Sequence, residues 1–171
     1  MPAAEFPQNE IERLRTLHSL NLLDTPPDPA FDRITRLAAR TLDVPMVFVT
    51  LIDKDRQWIK SCVGMDMQET SRDVSFCAHA ILQKEPTIVS DTRFDIRFSD
   101  NPYVTGDPEI RFYAGVPIYS SSGFILGTFC MVDIRPRELS ELELSILVDF
   151  AEMANKEVQQ HEAFVLHLHK M

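Results

Sequence analysis

The run Phe112-Tyr-Ala-Gly-Val-Pro-Ile-Tyr119, the turn Ser120-Ser-Ser-Gly123 and the run Phe124-Ile-Leu-Gly-Thr-Phe-Cys-Met-Val-Asp-Ile134 decide how this chain is read. Both runs are rich in aromatic and β-branched residues, which suit a pleated, packed surface, and the Ser/Gly cluster between them carries the turn chemistry of a hairpin. Upstream, Met46–Asp53 (MVFVTLID) is too short for a typical buried helix and predicts a strand covered on both faces. Asp53–Arg56 reads as its turn, and Gln57–Val63, stopped by Gly64, predicts the second arm of another hairpin.

Helical signals flank these hairpins. Ile11, Leu14, Leu17 and Leu20 recur at three-residue steps, with Glu10, Glu12, Arg13 and Arg15 between them, which predicts an amphipathic helix with one wet side. A second helix begins where the Asp28 carboxylate can accept orphan amide hydrogens and Pro29 fits the first helical position; Phe31, Ile34, Leu37 and Ala38 form its apolar stripe. The last element opens on a capping box, Ser140 with Glu143, and on Leu139 and Leu144 at the positions of a hydrophobic staple. Its expected apolar face runs through Leu142, Ile146, Phe150, Met153 and Ala154, with Val158, Val165 and Leu168 prolonging it. So long a helix outruns the domain, and its end either frays or packs on another chain.

Between the hairpins, Met65–Asp73 reads as a loop, after which Ser75 can cap a short helix from Phe76 to about Lys84. Thr87–Val89 predicts a brief strand. Asp91, Asp95, Asp100, Pro102, Gly106 and Pro108 then make the stretch from Ser90 to Glu109 a long, mostly irregular crossing of the kind that often carries function.

Composition sets limits. The 171 residues, 44% of them hydrophobic, suffice for one domain that buries roughly 70% of the surface exposed by its unfolded chain. A formal charge of −9 repels phosphate backbones and anionic lipid, so neither nucleic acid nor membrane is an expected partner. No apolar run approaches the roughly 18 residues of a membrane span, and the opening Met-Pro-Ala-Ala-Glu-Phe does not read as a secretory signal, so a cytoplasmic location is expected. Cys62, Cys77 and Cys130 cannot all pair within one chain, and reduced thiols are the expectation.

Five glycines offer neither G-x-G-x-x-G nor a Walker loop, and G-x-S-x-G and H-E-x-x-H are absent too. Cys77 and His79 could be nucleophile and base, but two residues on a helix diverge by about 200°, which argues against a catalytic dyad and against a metal site. His167 and His169 lack further ligands at metal spacing. No metal and no cofactor are expected. A redox role for the thiols stays open, because Cys77 opens a helix and Cys130 lies on a strand that could approach it; simple packing of buried cysteine is the plainer reading. Arg93, Arg97 and Arg111 lie among Asp91, Asp95, Asp100, Asp107 and Glu109, as salt bridges pinning the crossing or as an anion site. Phe94, Phe98, Phe112 and Tyr113 could wall a pocket or fill the core.

Taken in order, LDTPPDPAFDRITRLAARTLDVP (23–45), DRQWIKS (55–61), SFCAHAI (75–81), DTR (91–93) with RFSDNPYVTGDPEIRFYAGVPI (97–118), and GFILGTFCMVD (123–133) closely resemble the GAF domains found at the N-terminus of many bacterial diguanylate cyclases and sensor histidine kinases. The resemblance covers about residues 10–158. It implies an α+β fold in α/β/α layers: a central antiparallel sheet, N- and C-terminal helices on one face, and a short helix plus long loop covering a pocket on the other. On this reading residues 1–8 are a tail, 9–160 the GAF domain, and 161–171 a helical extension or frayed tail. Carried over by motif position, the ligand-binding residues are Phe76, Cys77 and His79 from the roof helix, Asp91, Arg93, Phe98 and Asn101 from the crossing, Arg111 and Tyr113 from one strand, and Cys130 from its partner.

The resemblance further implies a sensory and regulatory domain, not an enzyme, that binds an unknown small molecule. It would form a homodimer through its terminal helices and signal to a fused or separate output of diguanylate cyclase or histidine kinase type. Two alternatives are a thiol-based redox enzyme similar to free methionine sulfoxide reductases, whose characteristic blocks are nonetheless absent, and a module that only dimerises. Ala78 stands between Cys77 and His79 where bilin-binding members have a Cys-His dipeptide, so no covalent chromophore is expected. Asn155-Lys156 lacks the Phe and Asp-Glu that follow in cyclic-nucleotide-binding members.

Overall fold

The computed structural model describes residues 2–171. Helices α1 (Glu10–Ser19) and α2 (Pro29–Leu42) precede strands β1 (Met46–Ile52), β2 (Arg56–Val63) and β3 (Glu69–Ser71). A short helix α3 (Phe76–Ala80), strand β4 (Thr87–Val89), a single-turn α4 (Pro102–Thr105), β5 (Phe112–Tyr119), β6 (Ile125–Asp133) and the long α5 (Glu141–Lys170) complete the chain. The six strands form one antiparallel sheet in the order β3-β2-β1-β6-β5-β4. This is the α+β layered fold expected from the sequence.

Strand alternation divides the core in two. Val47, Val49 and Leu51 of β1, Phe129 and Met131 of β6, and Phe112, Ala114 and Ile118 of β5 pack with Leu17, Phe31, Ile34, Ala38 and Leu42, and with Leu147, Ala151, Ala154 and Val158 of α5. Each large side chain so buried contributes about 1.5–3 kcal/mol to holding the helices on the sheet. The other face carries Met46, Phe48, Tyr113, Cys130 and Val132, covered by Phe76, Cys77, Ala80, Ile81, Phe98 and Val104. Gly127 makes the sheet's centre possible, for a Cβ there would run into the Thr50 carbonyl of the neighbouring β1.

Local signals explain the helix ends. Asp28 accepts from the Ala30 amide at 2.9 Å with Pro29 behind it, and Ser140 and Glu143 close a reciprocal capping box. In the β5–β6 turn the Gly123 amide donates to the Ser120 carbonyl, and Gly123 takes the positive φ of 92° that suits a residue without a side chain.

Several expectations shift. Ile11, placed on the apolar stripe of α1, is 71% exposed, whereas Arg13, placed on the wet side, is buried because Glu10 neutralises it. The buried face of α5 is Leu147, Ala151, Ala154, Val158 and Val165; Leu142 and Met153 fall outside it and stand exposed. Met65–Asp73 is not all loop, since β3 pairs with β2 there and a 3-10 turn follows at Arg72–Val74. The roof helix stops at Ala80, short of Lys84. α5 remains helical to Lys170, a length of about 45 Å that projects beyond the sheet.

Candidate functional site

Ser75 begins the site. Its hydroxyl accepts from the Ala78 amide at 3.0 Å and donates to Gln57 Oε1 at 2.7 Å, which starts α3 and ties it to β2. The cap aims Cys77 at the sheet, where β6 presents Thr128 and Cys130 and β5 presents Tyr113 on the same face. Tyr113 Oη donates to Cys77 Sγ at 3.1 Å and Thr128 Oγ1 donates at 3.0 Å, while Cys130 Sγ lies 3.7 Å away. Thr50, directly opposite Thr128 in register, extends the chain of hydroxyls at 3.0 Å. Gly115 leaves the space for this arrangement: a Cβ on it would collide with the Tyr113 hydroxyl.

Around these groups lies a cavity of about 50 Å³, room for a few waters. Its inner wall is Phe48, Thr50, Cys77, Tyr113, Cys130 and Val132; Ile59, Phe76, Tyr103 and Ile110 close its sides. The half-buried Gln57, Met65, Met67 and Thr70 line its outer end. The lining is therefore apolar with a few inward polar atoms, as small-molecule sites are built, but its free volume is far below the roughly 300–1,000 Å³ of drug-sized pockets.

The two thiols differ. Burial pushes Cys77 up, yet hydrogen bonds from Cys130, Thr128, Tyr113 and Thr50 outweigh it and bring the thiol below the usual cysteine value. Burial drives Cys130 well above that value, and an ionised Cys77 beside it reinforces the shift. Tyr113 is raised for the same two reasons and stays a phenol that can donate. Cys77 is thus the member of the pair that ionises first.

Of the ten residues assigned by motif, four line the cavity: Phe76, Cys77, Tyr113 and Cys130. Phe98 lies behind them, 4.6 Å from Phe76 between ring centroids. His79 packs its ring edge on Phe98 and faces the Pro2 carbonyl at 3.3 Å; burial, with help from Arg97, holds its pKa below the ordinary value. Asn101 caps α4 by accepting from the Tyr103 amide and donates to the Val74 carbonyl at 3.0 Å, which binds the crossing to the lead-in of α3. Asp91 and Arg93 pair with each other in a 3-10 turn, and Arg93 is half exposed. Arg111 donates to the Val104 carbonyl at 2.9 Å and lies near Glu109. Arg97 pairs with Asp95. The arginines of the crossing act as local ties, in line with the salt-bridge reading, and Phe94 is 86% exposed, outside both pocket and core.

Thr50, Phe48, Gln57, Ile59, Met65, Met67 and Thr128 belong to the site but are not among the ten residues assigned from the motifs, although Gln57, Ile59 and Thr128 lie within motif stretches. Parity along the strands could have found three of them, because Phe48 and Thr50 alternate with the helix-facing Val47, Val49 and Leu51, and Thr128 shares the face of Cys130. A wider groove of about 730 Å³ runs along Asp24–Pro27, β2 and Asp66–Glu69. Its polar groups already satisfy one another: Lys60 donates to Thr25 and Pro26, and Ser61 to Asp32.

A six-stranded antiparallel sheet with helices on one face and a small roofed cavity on the other defines the class of domain. The GAF domain family model matches residues 26–158, and the chain belongs to the GAF family. Over 154 residues it is 38% identical to the cyclic di-GMP phosphodiesterase PA2567 of Pseudomonas aeruginosa, a match that covers 90% of this chain but only 26% of that relative. Among solved structures, the GAF domain of the Acinetobacter phosphoenolpyruvate-protein phosphotransferase superposes with a TM-score of 0.64 at 15% identity, covering 92% of this chain and 97% of the other. The PixJ GAF domain of Thermosynechococcus elongatus in its blue-light-absorbing form gives 0.66 at 12% identity, covering 94% and 95%. Identities this low speak for the fold alone. Among the described residues no helix is long and apolar enough to cross a membrane.

Proposed function

We propose that this chain is a sensory and regulatory GAF domain of bacterial signalling, which binds a small molecule in the cavity beneath Phe76 and relays the event through its terminal helices to an output. The observation that carries the reading is the division of the sheet: the cavity occupies one face, and α2 and α5, the elements open to other chains or domains, occupy the other. The relative from Pseudomonas aeruginosa supports an output concerned with cyclic di-GMP, and a histidine-kinase type of output follows from the motif resemblance. Phe76, Cys77, Tyr113 and Cys130 contact the ligand; Phe98, His79 and Asn101 hold the roof over it; Asp91, Arg93 and Arg111 set the crossing. The ligand is compact and largely apolar, or it displaces Met65 and Met67 to enlarge the space.

The domain acts as a homodimer through α5 and its neighbours, where Leu37, Leu142, Met153, Phe164 and Leu168 are exposed. Isothermal titration against a panel of metabolites and nucleotides, with chemical cross-linking, tests the reading. Saturable binding that Phe76→Ala weakens is expected. No heat from any compound together with a strict monomer would overturn it.

A further inference from the structure

The thiols of Cys77 and Cys130 share one buried site, 3.7 Å apart, and both open onto the cavity. Their surroundings are unequal. Cys77 Sγ receives hydroxyl donors from Tyr113 and Thr128, and the other sulfur lies beside it. Such donors stabilise a thiolate, which is the nucleophilic form of cysteine. Cys130, held as a thiol, is placed to attack the Cys77 sulfur once that sulfur has been oxidised. Closing the pair to a bonded distance of about 2.05 Å asks each sulfur to move by less than an ångström. Cys62 is not part of the arrangement; it is on β2 and donates to the Met65 carbonyl.

We propose that this pair is a peroxide-reactive site, in which a small hydroperoxide entering the cavity oxidises Cys77 and Cys130 resolves the product as a disulfide between α3 and β6. In the first step the Cys77 thiolate attacks one peroxide oxygen, the S–O bond forms as O–O breaks, and the alkoxide or hydroxide that leaves takes up a proton. In the second the Cys130 sulfur attacks Cys77, S–S forms as S–O breaks, and the departing hydroxide leaves as water with the Cys130 proton. Two thiols and one hydroperoxide thus give one disulfide, one alcohol or water, and one further water. The size of the cavity selects the substrate class: hydrogen peroxide and the smallest alkyl hydroperoxides fit, and lipid hydroperoxides do not. The inference goes beyond metabolite sensing, for it uses the cavity without requiring any bound ligand.

The test takes the full, reduced chain, adds hydrogen peroxide, blocks remaining thiols with N-ethylmaleimide under denaturing conditions, and maps the peptides by mass spectrometry. The expected product has lost two hydrogens, yields a Cys77–Cys130 linked peptide and carries its only alkyl group on Cys62. In Cys130→Ser the oxidation stops with one added oxygen on Cys77, which dimedone captures. Cys77→Ser slows peroxide consumption by roughly tenfold or more. If the wild-type chain keeps Cys77 and Cys130 alkylatable after peroxide, or is oxidised only at Cys62, Met65 or Met67, the proposal is wrong. The wild-type chain alone decides, so a variant that fails to fold does not obscure the result. Peroxide chemistry and metabolite titration are separate measurements, so either reading can fail without the other.

Discussion

The hydroxyl of Tyr113 occupies the space that a Cβ on Gly115 would need, two residues along the same face of β5. Glycine there is a condition for the donor that reaches Cys77. Gly115→Ala is expected to destabilise the domain by about 1–3 kcal/mol through overpacking, read as a lowered urea midpoint. Tyr113→Phe removes the atom in conflict, so the double variant should recover most of that loss. A double-mutant cycle with no coupling between the two positions would refute the relationship.

Glu10 bridges two buried arginines. Its carboxylate accepts from Arg13 at 2.9 and 3.0 Å and from Arg72 at 2.6 Å, and Arg72 also reaches the Asp53 carbonyl. Glu10→Gln leaves both guanidinium groups under-compensated and is expected to cost ~3 kcal/mol, measured by denaturant unfolding near neutral pH. Burial raises the Glu10 pKa, but the hydrogen bonds from Arg13 and Arg72 prevail and hold it below its ordinary 4.5. A depressed carboxyl stabilises the fold above its unfolded pKa and loses that contribution as pH falls through the folded value. The gap between wild type and variant should therefore narrow below pH 4.5; a gap independent of acid would count against the bridge.

Thiol reactivity should separate by pH. Burial raises the Cys77 pKa, but hydrogen bonds, with that from Cys130 foremost, set it at about 7, whereas burial raises Cys62 above its ordinary 9.0. In alkylation followed site by site, the rate at Cys77 is expected to reach half its maximum near pH 7, and that at Cys62 above pH 9. Cys130 and Tyr113 are the titratable groups in contact with Cys77. Tyr113→Phe should move the Cys77 midpoint upward, and an unmoved midpoint would remove the phenol from the account.

The exposed stripe on α5 makes a prediction about assembly. Leu142, Met153 and Phe164 lie at helical spacing on one side of α5, 70%, 45% and 59% exposed. Replacing Leu142 and Met153 by Glu is expected to shift the chain from dimer to monomer in sedimentation without changing its stability by more than about 1 kcal/mol. A wild-type chain that sediments as a monomer at all concentrations would dispose of this interface.

Strands and caps were legible because their signals are local. The Ser140–Glu143 box, the Asp28–Pro29 start and the Ser120–Gly123 turn each involve residues within a few positions of one another. What escaped depends on partners distant in sequence. Arg13 is buried where its guanidinium, paired with the neighbouring Glu10, also reaches the Leu126 carbonyl of β6 far along the chain, and the face of α5 that turns inward is fixed by where α2 lies, not by which apolar stripe is longer. The cavity was legible in part. Motif position named Phe76, Cys77, Tyr113 and Cys130, while Met65 and Met67 enter the lining through a loop whose course no periodicity records.

β6 is a single layer with opposite tasks on its two sides. Cys130 and Val132 line the roofed chamber, and Phe129 and Met131, one peptide unit away, are embedded against the helical layer. A displacement of this strand toward or away from the roof is therefore felt at once by the helices behind it. Were the chamber to sense a ligand as proposed, no chain of intermediaries would be needed to carry a message to the helices, because sender and receiver would be alternate residues of the same ribbon.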